Sequence, residues 1–170
     1  MVAQATLSTP EVYAPIGVDL TRTHSTAQFK LGAVARGSFG QEYMYVLTSG
    51  TLSQGSLVAI DEAFTARGCT TAIAKTAGFP AWAQIAFATD VYGWVATKGS
   101  KLYGKQKDGT LADALLFTST SVGIMSSDGS TGAPVQLAGV RNVALTSGAG
   151  AAYEICAVNP HFLPSYALFT

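Results

Sequence analysis

Two histidines, two cysteines and ten carboxylates are the side chains of this 170-residue sequence best suited to chemistry. A metal site or an activated nucleophile needs such groups at close, patterned range. His24 and His161 sit in opposite flanks of the chain, without HxH, HExxH or Cys/His spacing around either, and both read as surface or interface imidazoles. Cys69 and Cys156 lie in separate apolar runs outside any CxxC, so both read as reduced thiols packed as small hydrophobes. Asp61-Glu62 is the only adjacent acidic pair, while Asp90, Asp108, Asp113 and Asp128 stand singly near turns. Glycoside hydrolysis needs two carboxyls facing one another, whereas Asp at a strand end or before Gly is a common turn former. Asp128-Gly129-Ser130 does not continue into a calcium loop, and no glycine pattern matches a phosphate-cradling loop. The expectation is a protein that is not an enzyme, with no catalytic residue, no metal and no cofactor.

Two further groups could bind a ligand. Lys98, Lys101, Lys105 and Lys107 form a local basic cluster with Tyr103 as its one aromatic. Nucleic-acid recognition wants more aromatic interleaving and a basic field, and ten basic residues here balance ten acidic ones, so the cluster reads as a solvated hairpin or a rim for an acidic protein partner. The stretch 81–99 (AWAQIAFATDVYGWVATKG) holds both tryptophans and could be a sugar-stacking platform. Alternation places Tyr92, Trp94 and Ala96 on one face and Gly93, Val95 and Thr97 on the other. With both faces largely apolar, Trp82, Tyr92 and Trp94 read as core or oligomer-interface residues.

The elements that position these residues read as β-structure. Only 12% of residues are charged and 48% are apolar, and Gly, Ala, Thr and Ser dominate the remainder, which fits short strands and tight turns. Apolar, β-favouring runs at 29–36, 42–47, 56–60, 69–74, 82–88, 92–97, 101–104, 115–118, 122–125, 135–145 and 153–158 are separated by turn signals. That spacing predicts a mainly all-β body, an antiparallel barrel or a tulip-like sandwich. At most one short helix is expected; 111–117 (LADALLF) has suitable spacing, with Asp108 as a candidate N-cap. Residues 1–27, broken by Pro10 and Pro15, read as an extended N-terminal arm. Residues 28–158 are the β-rich body, and 159–170, apolar and proline-containing, a tail packed on the body or on a neighbour. The first residues lack the basic start and apolar block of a signal peptide, and no run reaches the ~18 apolar residues of a membrane span.

From 43 to 143 the order of features resembles small virion proteins of tailed bacteriophages, in particular capsid decoration (cement) proteins. The resemblance rests on a polar arm, a strand leading into TSGTLSQGSLVAID at 48–61, YGWV followed by Gly99, and the short Gly/Thr/Ser-rich strands thereafter. It implies a β-barrel or tulip-like fold, commonly a homotrimer, bound to the major capsid protein on the virion's capsid exterior after synthesis in the bacterial cytoplasm. The arm residues Val12, Tyr13, Ile16 and Leu20 are then the expected capsid contacts, with no nucleic acid or membrane as partner. Another virion component (a head-fibre base, tail-tube or adaptor subunit) and a carbohydrate-binding β module are the alternatives.

Overall fold

Strands form where aromatic and β-branched residues fall between turn formers. The structure, a computed structural model, describes residues 19–76, 78–107, 109–129, 133–144, 146 and 150–163. In chain order the elements are β1 (Val34–Arg36), β2 (Glu42–Thr48), β3 (Leu57–Ile60), β4 (Thr65–Gly68), the helical turn α1 (Thr71–Ala74), β5 (Phe79–Trp82) and β6 (Tyr92–Lys105). They continue with β7 (Leu115–Thr118), β8 (Met125–Ser126), β9 (Gln136–Asn142) and β10 (Ala152–Leu163). The fold is nearly all β, built on a closed five-stranded barrel. The barrel runs β2–β4–β3–β5–β6 and closes through β6 onto β2. Its β2–β4 pair is parallel, the departure from the all-antiparallel expectation.

Strand β6 is 14 residues long and serves two sheets. Its first half pairs with β2, from Leu47↔Tyr92 to Glu42↔Lys98. Its second half pairs with β10, from Ala157↔Gly99 to Ala152↔Lys105. Beyond β10 the second sheet continues through β9 and β7 to β8.

Side-chain size sorts the two faces of the barrel wall. Inside, the strands contribute Val46, Val58, Ile60, Ala66, Ala81 and Val95 to one buried cluster, small and β-branched groups that suit a narrow five-stranded lumen. The large residues alternate to the outside: Tyr43, Tyr45, Leu57, Trp82 and Trp94. There they are covered by Leu102, Leu116, Leu137 and Ile155 of the second sheet and by Leu20. This double burial accounts for the apolar character of both faces of 92–97.

Three expected elements are corrected. The run 82–88 is not one strand, since β5 ends at Trp82. Beyond it the Gln84 side chain takes over the ladder, Oε1 accepting from Tyr103 N at 2.9 Å and Nε2 donating to Tyr103 O at 3.1 Å. Gln84→Leu is expected to cost about 2–3 kcal/mol in urea unfolding, because it strips two buried hydrogen bonds at once. The run 69–74 is not a strand either: Thr70 accepts a bond from Ile73 N through its side chain and turns the chain into α1. Finally, 111–117 is not helical. Asp113 takes φ +56°, which ends any right-handed turn there, and the chain enters β7. The proposed cap Asp108 lies outside the described residues.

Candidate functional site

Among the described residues no constellation of reactive groups assembles. Among the described residues no group of three or more His, Cys, Asp or Glu is placed to hold a metal ion. His24 and His161 are on different elements, and His161 Nδ1 contacts its neighbour Asn159 O at 3.1 Å. Asp61 Oδ1 accepts from Ala63 N at 3.0 Å and Thr65 N at 2.9 Å, a turn-forming role, while Glu62 is exposed. Asp90, at φ +57°, also shapes a turn. The lysine cluster is dispersed among separate partners. Lys98 Nζ pairs with Glu42 Oε1 at 3.0 Å, Lys101 Nζ lies 4.2 Å from the centre of the Phe39 ring, and Lys105 Nζ donates to Ser53 Oγ at 2.6 Å.

The three aromatic residues of 81–99 are placed by the wall of the barrel. Trp82 and Trp94 are buried and Tyr92 is half-buried. Trp82 Nε1 donates to Met125 Sδ at 3.4 Å, joining the barrel to the second sheet. Trp94 packs against Tyr45 and Phe29 with ring centres 5.0 and 5.2 Å apart, and Tyr92 stacks on Tyr45 at 6.2 Å. None of the three forms an open stacking platform.

The four expected arm contacts divide. Val12, Tyr13 and Ile16 lie outside the described residues. Leu20 is only 3% exposed and packs into the body's core, which removes it from the surface expected of a contact residue. Just after it, His24 exchanges two 2.8 Å backbone bonds with Tyr92, and its Nδ1 lies 3.0 Å from the Tyr45 hydroxyl. The Tyr45 hydroxyl also accepts from Gln28 N at 3.1 Å. Residues 19–33 therefore form a strap fastened over the aromatic side of the barrel, with Phe29 and Leu31 packed beneath it.

The sheet face overlooked in the sequence lies on the outside of β7, β9 and β10. Here Leu115 (51% exposed), Val143 (48%) and Val158 (64%) present large apolar side chains to solvent. A groove of about 210 Å³ runs between Leu115, Gln136, Gly139, Arg141, Cys156 and Val158. Gly139 is required at the groove floor, because at φ +72° its Cβ would stand 2.1 Å from Val158 O. The sequence did carry a signal, since Glu154, Cys156 and Val158 alternate with the buried Ile155 and Ala157. With apolar residues in both rows, alternation alone does not say which row faces out.

The two thiols differ sharply. Cys69 is fully buried, and burial pushes its thiol up to about 12, leaving almost no thiolate at neutral pH. Cys156 is half-buried on the groove wall, 3.5 Å from Ser100 Oγ. Alkylation of the native protein with iodoacetamide at pH 8 is therefore expected to label Cys156 alone, with Cys69 reacting only after denaturation. Peptide mapping distinguishes the two.

Comparison with known proteins adds no family name. No family model matches this chain, and no curated protein matches it in sequence.

Proposed function

We propose that this protein is a structural virion component that binds the outer surface of a phage capsid and stabilises the shell, as decoration proteins do. The observation that carries this reading is the anchoring of the N-terminal strap. Leu20 is seated in the core and His24 is bonded on both sides to Tyr92, so the segment before Asp19 departs from a fixed point on a rigid β body. Such a body needs no moving parts. In this reading its task is to present the residues before Asp19 to the shell, and many copies on one shell multiply modest contacts. The resemblance carried by 48–61 and by Tyr92–Gly99 supports the same reading. Val12, Tyr13 and Ile16 are the residues assigned to the major capsid protein, while Leu20 belongs to the anchor.

The test is co-sedimentation of the purified protein with expanded phage shells lacking it. The full chain is expected to bind. A variant deleted for residues 1–18 should keep its thermal unfolding temperature and lose at least about ten-fold in affinity, the scale on which loss of one of two linked contacts is felt. Unchanged binding by the deleted variant, or no binding by the full chain, overturns the assignment.

A further inference from the structure

The outer face of β9 and β10 carries a charge pattern complementary to itself. Cys156 stands opposite Arg141 in the register, and Val143 N donates to Glu154 O at 3.2 Å. Their intervening neighbours Asn142 and Ile155 are buried. These four residues therefore occupy the corners of one oblong on the outer face, with Glu154 and Arg141 on one diagonal and Val143 and Cys156 on the other. Both charges are exposed, and they form no ion pair with each other among the described residues. Arg141 Nη1 is instead occupied by Asp113 O at 3.1 Å.

We propose that this face pairs with the same face of a second copy, about a two-fold axis lying along the Val143–Cys156 diagonal. In an isologous contact each residue i meets j while j meets i. Rotation about that diagonal brings each of the other two corners to within about 3 Å of the other's position, so the Arg141 side chain of each copy reaches Glu154 of the partner, forming two ion pairs. Val143 and Cys156 lie on the axis and meet their own counterparts. Leu115 and Val158 flank Arg141 and are laid against the partner by the same rotation. The strands of the two copies cross steeply, as in orthogonal sheet packing.

Two other properties favour a second copy over a different occupant. The formal net charge is zero, so no long-range repulsion opposes self-association. The exposed apolar groups that pairing would cover lie around one oppositely charged pair, which supplies register as well as attraction. This two-fold contact differs from the three-fold assembly that the phage resemblance implies, and it does not depend on the capsid reading, because it is tested without any shell.

The experiment is sedimentation equilibrium of the full chain, with Arg141→Glu, Glu154→Arg and the double variant beside it. Each single reversal is expected to weaken dimerisation by about 10–100-fold, and the double reversal to restore it to within about 3-fold of the parent. A variant that simply misfolds cannot be rescued in this way. Mild copper-phenanthroline oxidation should give a covalent dimer that disappears in Cys156→Ser. A chain that is monomeric at 100 µM, a trimer unaffected by either reversal, or reversals whose effects merely add would overturn the pairing. In those cases the face is left to the shell or to the chain's own 164–170 segment.

Discussion

Trp82→Ala is expected to cost about 3–5 kcal/mol of unfolding free energy, the usual cost of emptying a site that held a large core aromatic. Trp82 has no solvent exposure and stands in the wall between the barrel and the second sheet. It pairs with Leu57 in the ladder and reaches Met125 through its indole N–H. Its loss therefore opens the seam along which the two sheets pack. Trp94→Ala should cost a similar amount for the same reason. The more discriminating comparison is with phenylalanine. Trp94 Nε1 is buried with no hydrogen-bond partner, and an unpaired buried donor costs about 1–3 kcal/mol. Trp94→Phe removes that donor as well as some volume, so the two effects offset and the variant should stay within about 1 kcal/mol of the parent. Trp82→Phe loses both its volume and its N–H···S contact, so a loss of about 2 kcal/mol or more is expected. Chemical denaturation of the four variants measures all of this, and equal losses for the two Phe variants would contradict the placement of the indole groups.

Gly99→Ala is the second substitution expected to do great damage, although it adds only a methyl group. Gly99 is the residue at which β6 leaves the barrel and enters the second sheet, with φ +127°, a conformation essentially reserved for glycine. An added Cβ would lie 2.5 Å from Gln41 Cα and 2.9 Å from Gln41 N, and backbone atoms cannot swing aside as a side-chain tip can. Gln41 is itself held, its Nε2 donating to Ser100 O at 2.9 Å and its Oε1 accepting from the Tyr43 hydroxyl at 2.9 Å. Backbone strain and overpacking each cost about 1–3 kcal/mol, so a loss of about 2–6 kcal/mol is expected. Gly40→Ala provides the control. Gly40 also has a positive φ, but no atom lies within 4 Å of its added Cβ, so the strain contribution should act there alone. Thermal unfolding of the pair separates close approach from backbone conformation.

The β class and the low helix content were legible in the sequence because the turn formers and the aromatic runs point to the same answer. Burial of both tryptophans was legible for a local reason, the apolar residues on both faces of 92–97. A barrel was among the architectures expected, but the strands that close it were not legible, since nothing in 42–48 or in 92–98 names the other as its partner. The parallel β2–β4 contact was hidden for the same reason. The break after Trp82 escaped because Gln84 reproduces with its side chain the bonds that a strand makes with its backbone. The place of Leu20 escaped because proline and threonine content marks an extended segment without saying which of its apolar residues returns to the core. The face around Arg141 and Cys156 was missed because apolar groups occupy both rows of β10.

The sharing of β6 between two sheets has a consequence for the order of assembly. Every barrel partner of β6 precedes it in the chain, so its first half can pair as soon as it is made. Its second half must wait for β10, which follows only after β7, β8 and β9. At about 5–20 residues per second that is an interval of seconds during synthesis, with an open strand edge beside buried-type residues such as Leu102. Lysine is the residue that natural sheets most often place on such edges to discourage wrong pairing. Lys101 and Lys105 occupy this half of β6, and charge at such a position opposes pairing with a wrong edge. The basic cluster that invites a phosphate in the linear sequence thus stands where charge opposes edge-to-edge pairing of a sparsely charged, unfinished chain.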